Sequence, residues 1–347
     1  MRGYLKHVLV SILMVMTVAL AAAAARADFA FGPQQVVQAS GVDIDVGTYS
    51  VPCYGDWNSD GAGDLIIGRG DGQVSVYLNT GTAQAPAFSP GSSFQVMAGG
   101  VMLEVGSSGC MGSFPRLVHW NDDSLVDLLV SDTYGKVSVC LNQGPADSPV
   151  FAYGTYLQVG QPGSKSDIDV GDRAAACVTD WNGDGCKDLV LGELTGLVNI
   201  LLNEGTDTAP DFRSMTLLQD AVTSTDLEVP SQRSSPTMGD LDGDGLMDLV
   251  AGNTNGELLL YINVGTANAP QFSAYTDLEA DGVKIDLSGS ARSRPFLCDW
   301  TGDGLLDLLV GASDGKVYLY EGVPEPATLA LLVMGGAAVL ARRRRRR

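Results

Sequence analysis

The chain has 347 residues, enough for one large all-β domain or two domains of ordinary size. Its 43 glycines, its 7% of aromatic residues and the lack of a long polar low-complexity tract are typical of a folded, turn-rich protein and exclude a disordered one. Residues 28–322 hold 12 of the 21 basic residues and 40 of the 41 acidic ones, so this segment has a net charge of −28. Such a surface repels phosphate backbones, which excludes nucleic acid as an expected partner.

Residues 1–27 have the three parts of a secretory signal peptide. Arg2 and Lys6 give a positively charged start, residues 8–25 are apolar, and Ala25-Arg26-Ala27 is a small-residue cleavage pattern. A buried helix is a poorer interpretation because alanine-rich surfaces pack weakly. The sequence therefore predicts export, with a mature chain that begins at Asp28.

One nine-residue loop motif occurs five times in the body of the chain. It begins at residues 56, 119, 180, 240 and 299, so the intervals are 63, 61, 60 and 59 residues. Each loop is followed by a short apolar run, an alternating run such as Gln73–Asn79, a glycine turn and, in four units, a Pro-x-Phe element. Alternation predicts strands with one buried face. About sixty residues with about four strands are typical of one β-propeller blade.

The two ends of this array complement each other. The fifth unit stops at Gly322 without its closing part, and residues 31–47 supply such a part without a preceding loop. Joining them leaves no open sheet edge, whereas a linear solenoid would leave both half-units with exposed apolar faces. We therefore predict an all-β fold for residues 28–322: a five-bladed β-propeller of four-stranded blades, with its last blade closed by the N- and C-terminal halves.

The loops carry oxygen-bearing side chains at positions 1, 3, 5 and 9, and four of the five have glycine at position 6. This pattern collects hard oxygen ligands around one point, which suits calcium. The repeats resemble the FG-GAP and VCBS repeats of integrin-α-like propellers over nearly all of residues 31–322. The resemblance implies about four calcium ions, which we expect to be mainly structural. The predicted ligands in the four better-matched loops are Asp56, Asn58, Asp60, Asp64, Asp180, Asn182, Asp184, Asp188, Asp240, Asp242, Asp244, Asp248, Asp299, Asp303 and Asp307.

The second loop departs from the pattern. His119 replaces the first aspartate and Ser124 replaces the glycine. Imidazole is a poor calcium ligand, so we expect this site to be weak or empty. Its remaining candidate ligands are Asn121, Asp123 and Asp127.

Position 2 of the loops is tryptophan in four cases and Leu241 in the fourth loop. Because leucine replaces tryptophan there, packing between neighbouring blades is the favoured role, and stacking on sugars is the alternative. The tryptophans are Trp57, Trp120, Trp181 and Trp300.

Arg173, Arg233 and Arg292 each lie seven residues before a loop, where the innermost strand of a blade should begin. A ring would bring them together near one mouth of the central channel. There they could bind an anionic ligand such as an acidic sugar, or they could pair with carboxylates of the strands. Tyr49 and Gly112 occupy the corresponding positions of the first two units.

The cysteines and the single histidine of the body give little evidence of chemistry. An even number of cysteines permits disulfides in an exported protein, and Cys53 with Cys298 is a candidate pair because ring closure makes their blades neighbours. His119 lies in the altered loop and no nucleophile motif accompanies it, so we assign no catalytic residue. The six cysteines are Cys53, Cys110, Cys140, Cys177, Cys186 and Cys298.

Residues 323–347 consist of Val-Pro-Glu-Pro, fifteen apolar residues and six arginines. The apolar stretch is short for a membrane span, which needs about 20 residues, and the arginines would stay on the cytoplasmic side. The three parts in this order resemble the PEP-CTERM sorting tail of Gram-negative bacteria, which implies processing by a protease of the exosortase family. A plain membrane anchor is the alternative. The expected location is the cell surface, the outer membrane or the extracellular matrix, with membrane contact only through the tail and transient inner-membrane anchoring before processing.

Together these features predict an exported, calcium-stabilised, non-catalytic propeller that binds extracellular polysaccharide or a surface protein. The alternative is a secreted carbohydrate-active enzyme, a glycan hydrolase or lyase acting at the propeller mouth, since carboxylate pairs can cleave glycans.

Overall fold

The computed structural model describes residues 29–107, 112–121 and 123–324. The predicted signal peptide, Cys110 and the predicted tail from residue 325 onward lie outside these ranges. Within them the regular structure is β-strand, apart from one 3₁₀ turn at Pro90–Ser92. Nowhere in these ranges does a helix have the length and apolar character needed to cross a membrane.

The described residues form thirty short strands. In chain order they are β1 (Phe29–Phe31), β2 (Gln35–Val36), β3 (Gln38–Ala39), β4 (Val42–Asp43), β5 (Val51–Gly55), β6 (Asp64–Gly68), β7 (Val74–Tyr77), β8 (Ser93–Gln95), β9 (Met97–Ala98), β10 (Val101–Met102), β11 (Phe114–Val118), β12 (Asp127–Ser131), β13 (Val137–Cys140), β14 (Thr155–Tyr156), β15 (Gln158–Val159), β16 (Ser166–Asp167), β17 (Ala175–Thr179), β18 (Asp188–Gly192), β19 (Val198–Leu201), β20 (Thr216–Leu217), β21 (Ser235–Gly239), β22 (Asp248–Gly252), β23 (Leu258–Tyr261), β24 (Thr276–Asp277), β25 (Glu279–Ala280), β26 (Val283–Lys284), β27 (Arg294–Cys298), β28 (Asp307–Gly311), β29 (Val317–Tyr320) and β30 (Gly322–Pro324).

Five sheets repeat one antiparallel pattern. Sheets I to IV are β5–β8, β11–β14, β17–β20 and β21–β24, and sheet V consists of β27, β28, β29 and β2. Their second strands are buried at every residue, as expected for strands enclosed on both faces. The first strands contact one another in the cycle β5, β11, β17, β21, β27 and back to β5. The predicted all-β propeller with four-stranded blades is therefore confirmed.

The predicted number of five blades is wrong, because the described residues form six four-stranded sheets. Sheet VI consists of β26, β25, β1 and β30. At the other interfaces between neighbouring sheets, a hairpin lies in the position that corresponds to β25 and β26. Only a single bridge, such as the one between Phe88 and Ala39, joins it to the next unit there. In sheet VI, Phe31 bridges Ala280, and β1 then pairs with β30 over three residues because both ends of the array meet there. Counting the nine-residue loops misses this sheet, because none of them connects its strands.

The pairing of the two ends is confirmed. Strand β2 from the N-terminal segment pairs with β29, with Gln35 opposite Leu319 and Val36 opposite Tyr318. This pairing supplies the fourth strand of sheet V and covers an edge that β29 would otherwise expose.

The hydrophobic core is divided among the interfaces between neighbouring sheets. Leu65 of sheet I, for example, shares one buried cluster with Leu309 of sheet V. Each loop tryptophan packs against the phenylalanine of the Pro-x-Phe element in the next unit, which confirms the packing role predicted for position 2. The ring centroids are separated by 5.2 Å for Trp57–Phe151, 6.3 Å for Trp120–Phe212, 5.9 Å for Trp181–Phe272 and 5.6 Å for Trp300–Phe88.

Candidate functional site

The nine-residue loops connect the first and second strands of sheets I to V, at the C-terminal end of each first strand. In the first loop, the carboxylate of Asp56 accepts hydrogen bonds from the backbone amides of Asp60 at 3.1 Å and Gly61 at 2.9 Å. Gly61 has φ +87°, a left-handed conformation that glycine adopts without strain. The third and fifth loops repeat both amide bonds, and the fourth repeats the bond from Gly245 to Asp240 at 2.9 Å. The fold thus turns the first, third, fourth and fifth loops back on their first aspartate.

The fourth loop brings three acidic side chains close together. One carboxylate oxygen from each of Asp240, Asp242 and Asp244 lies within 4.8 Å of the others. This all-oxygen set at positions 1, 3 and 5 fits a hard divalent cation.

In every loop the aspartate at position 9 is buried, unlike the acidic side chains at positions 1 and 5. Asp64 is fully buried, and its two oxygens accept hydrogen bonds from the amides of Trp57 at 3.0 Å and Asn79 at 2.7 Å. Asp127, Asp188, Asp248 and Asp307 repeat this arrangement, with the second amide always fifteen residues further on. Burial raises the pKa of Asp64 and of Asp188 to about 6. These aspartates therefore connect each loop to the end of the third strand, a role that only the fixed fifteen-residue spacing could have indicated.

The second loop has the fold of the others with a different chemistry at position 1. The Nδ1–H of His119 donates to the carbonyl of Leu125 at 2.8 Å, where the other loops have a carboxylate that accepts amides. The amide of Asn121 donates to Asp123 at 2.8 Å. Asp127 still makes both buried hydrogen bonds, so the loop keeps its anchor without its first acidic ligand.

The opposite end of the first strands carries the predicted arginines. All five residues that lie seven positions before a loop have a left-handed backbone, which turns the chain sharply into the first strand. Their φ angles are +55° for Tyr49, +71° for Gly112, +65° for Arg173, +59° for Arg233 and +63° for Arg292.

The ring brings the three predicted arginines together with a fourth, Arg294. Burial lowers the pKa of Arg173 well below its usual value, and the charges of Arg294, Arg233 and Arg292 lower it further, in that order. Arg294 occupies the first position of β27, where the other first strands have Val51, Phe114, Ala175 and Ser235. An arginine at a position that is uncharged in the other four units was the sequence signal for this fourth member, and it was not recognised.

Two aromatic rings each contact two guanidinium groups of this arginine cluster. The ring of Phe114 lies 4.8 Å from the Cζ of Arg173 and 5.7 Å from that of Arg294. The ring of Tyr49 lies 5.0 Å from the Cζ of Arg292 and 5.3 Å from that of Arg294. Each such cation–π contact is worth about 0.5–2 kcal/mol.

Arg173 is the most enclosed predicted member of the cluster. It is 1% exposed, and it donates to the carbonyl of Ser234 at 2.8 Å and to the hydroxyl of Ser235 at 2.5 Å. Its Nε has no hydrogen-bond partner, and none of the ion pairs among the described residues includes Arg173 or Arg292. Burying a charge costs several kcal/mol even after relaxation, more than a ring contact returns. An anion at the cluster would supply the countercharge that these contacts do not provide.

The five described cysteines are all free thiols, including the candidate pair Cys53 and Cys298. Burial raises the pKa of the Cys53 thiol, which disfavours the reactive thiolate.

Comparison with protein families matches residues 180–251 and 240–310 to the FG-GAP-like repeat and residues 322–346 to the PEP-CTERM protein-sorting motif. The chain carries FG-GAP-like repeats and a PEP-CTERM sorting motif. The FG-GAP-like matches contain the third, fourth and fifth loops. The PEP-CTERM motif implies processing by exosortase-type machinery and indicates export, with membrane or cell-surface association through the tail.

The solved structures that match over most of this chain have low sequence identity to it. The catalytic domain of the Coprinopsis cinerea GH62 α-L-arabinofuranosidase has a TM-score of 0.45 and 11% identity, over 85% of this chain and 97% of that one. A putative glucose dehydrogenase of Thermus thermophilus has 0.44 and 12%, over 83% and 100%. The Photorhabdus luminescens Tc holotoxin pore has 0.41 and 16%, over 87% of this chain, which spans 15% of the toxin chain. No curated protein matches the sequence.

Proposed function

We propose that this exported propeller is a calcium-stabilised, non-catalytic binding protein of the cell surface or extracellular matrix. Its ligand would be an anionic polysaccharide or a surface protein that presents negative charge. The observation that carries the proposal is the convergence of four arginines at one end of the ring, in a body whose net charge is −28. Arg233 and Arg292 are partly exposed and would contact the ligand directly, while the buried Arg173 would add positive potential.

Calcium at the loops would supply much of the stability of such a protein. Extracellular calcium modules bind with a Kd of about 10⁻⁴ to 10⁻³ M, and calcium at tenfold above Kd adds about 1.4 kcal/mol per site. Four sites would add about 5 kcal/mol, comparable with a typical unfolding free energy of about 5–15 kcal/mol. In the fourth loop, Asp240, Asp242 and Asp244 would hold the ion.

Thermal unfolding with millimolar calcium and then with excess chelator tests the structural role of the metal. We expect a large rise in melting temperature that the chelator reverses. An unchanged melting temperature would contradict the calcium assignment and leave the loops as turns.

Ligand binding is tested with immobilised acidic and neutral polysaccharides at low salt. We expect the protein to bind the acidic polymers, and Arg233→Gln and Arg292→Gln to weaken binding at least tenfold because each removes a charged donor. Arg213→Gln is the matched control, since Arg213 pairs with Asp211 at 2.7 Å and Glu204 at 3.1 Å elsewhere on the surface. Equal losses in all three variants would point to diffuse charge attraction instead of this site, and reducing ends that accumulate with time would favour a carbohydrate-active enzyme.

A further inference from the structure

The arginine cluster has an inner part that a polymer does not reach. Arg173 and Arg294 are each 1% exposed, whereas Arg233 and Arg292 are partly exposed. Val51, Phe114 and Ala175 form one buried apolar cluster from three neighbouring first strands. The inner arginines therefore lie in an enclosed place bounded partly by apolar side chains, and direct contact with a polysaccharide does not explain their burial.

Two of the three guanidinium nitrogens of Arg173 donate hydrogen bonds within the protein, and the third does not. Its two terminal nitrogens bond to Ser234 and Ser235, and its buried Nε has no hydrogen-bond partner. The carboxylate of Glu193 favours the charged form of Arg173, but that effect is smaller than the repulsion from each of the three other arginines. Glu193 itself accepts hydrogen bonds from the amides of Thr195 and Leu197 at 2.8 and 2.9 Å. A negative charge from solution would both use the free donor and reduce the repulsion.

We propose that the centre of the ring binds one small inorganic oxyanion, of the sulfate or phosphate class, between the guanidinium groups of Arg173 and Arg294. Planar guanidinium forks bind tetrahedral oxyanions through paired N–H···O hydrogen bonds, and burial strengthens each bond. The anion connects sheet III to sheet V across the ring, so it stabilises ring closure. This site uses the two buried arginines, whereas Arg233 and Arg292 would contact a polysaccharide, and it involves none of the calcium loops.

Isothermal titration of inorganic sulfate into the anion-free protein tests the site, with sodium chloride added to keep the ionic strength constant. We expect saturable binding of one sulfate per chain at millimolar concentration or below, and a rise in melting temperature that saturates with it. Millimolar sulfate is too dilute for its general stabilising effect on proteins, which does not saturate. Absence of saturable heat with the unmodified protein would overturn the proposal.

Two variants locate the anion. Arg294→Ser introduces the residue that stands at the same position in sheet IV. Arg173→Gly introduces the glycine of the second unit, which has the same left-handed backbone. Both variants are therefore compatible with the fold. We expect each to weaken sulfate binding at least tenfold, with Arg213→Gln unchanged. Undiminished sulfate binding in either folded variant would overturn the assignment.

Acidic polysaccharide binding distinguishes this proposal from the function proposed above. If Arg173→Gly loses sulfate and still binds acidic polysaccharide, both proposals hold. Loss of polysaccharide binding only in the Arg233 and Arg292 variants, without any sulfate site in the unmodified protein, would support the proposed function and overturn the oxyanion.

Discussion

The two ends of the first strands differ in charge, in exposure and in how their polar groups are satisfied. At the loop end, carboxylates at positions 1 and 5 such as Asp56 and Asp60 are partly or fully exposed, and a buried aspartate connects the loop to the third strand. At the arginine end, Arg173 and Arg294 are buried and stack on aromatic rings. Exposed charges can take counter-ions from solvent at little cost, whereas buried charges need partners inside the fold. Loss of a group should therefore cost more stability where that group is enclosed.

The largest effect is expected from the buried aspartate of a loop. Asp248→Ala removes the acceptor for the amides of Leu241 and Asn263, at 3.0 and 2.8 Å, and leaves two buried donors unsatisfied. We expect a loss of about 3 kcal/mol or more in the free energy of unfolding, measured by urea denaturation in chelator. Asp244→Ala in the same loop is the control and should cost less than about 1 kcal/mol, because Asp244 is exposed. Equal losses would show that position 9 is not the anchor of the loop.

The arginine end has its own enclosed contacts, formed by serines that precede four of the first strands. The hydroxyl of Ser234 donates to the carbonyl of Leu197 at 2.6 Å and accepts the amide of Glu193 at 2.9 Å, which connects sheet IV to sheet III. Ser234→Ala should therefore cost about 2 kcal/mol in urea denaturation. Ala174 occupies the equivalent position in the third unit, so the fold accepts alanine there and the variant should still form the ring. A loss as small as that of an exposed serine such as Ser93 replaced by alanine would refute the connecting role.

These contacts mark the limit of what the sequence could predict. The sixty-residue period and the alternation in runs such as Gln73–Asn79 were enough to predict four-stranded blades and the joining of the two ends. Sheet VI was missed because β1 and β30 are only three residues long and have no alternating pattern of their own. The serine contacts and the role of Arg294 depend on which strands become neighbours in the ring, and this is decided by tertiary packing rather than by local pattern.

The buried aspartates also predict a pH dependence that differs from the usual acid denaturation. Burial raises the pKa of Asp188 to about 6, above its ordinary value near 3.8, so the folded state binds this proton more tightly than the unfolded state does. Its stabilising contribution is complete below about pH 4 and is lost as the pH rises through 6. In chelator, the unfolding free energy of the natural protein minus that of Asp188→Asn should fall by about 1–2 kcal/mol between pH 4 and pH 7. A difference that stays flat or rises over this range would show that the amide hydrogen bonds, rather than burial, control this carboxyl group.

The smallest predicted effect compares two loops of the same end. The fourth loop brings three carboxylates within 4.8 Å, whereas the second has His119 bonded to a backbone carbonyl at position 1. Both keep their buried aspartate, so they differ in the proposed ion and not in their anchor. Asp244→Ala should remove about 1 kcal/mol of the calcium-induced stabilisation, and Asp123→Ala should leave it unchanged.

The measurement is chemical denaturation with and without calcium. The difference between the two unfolding free energies is the calcium-dependent stability, and taking this difference removes each variant's effect on the metal-free fold. If Asp123→Ala removes as much of the calcium-dependent stability as Asp244→Ala, the second loop binds calcium despite its histidine, and the first aspartate is not essential. If neither variant changes the calcium-dependent stability, calcium acts on the diffuse negative charge of the whole protein. The exposed carboxylates of the loop end are then counter-ion sites without specific geometry. Only a loss confined to the fourth loop fits a bound ion whose first ligand is an aspartate.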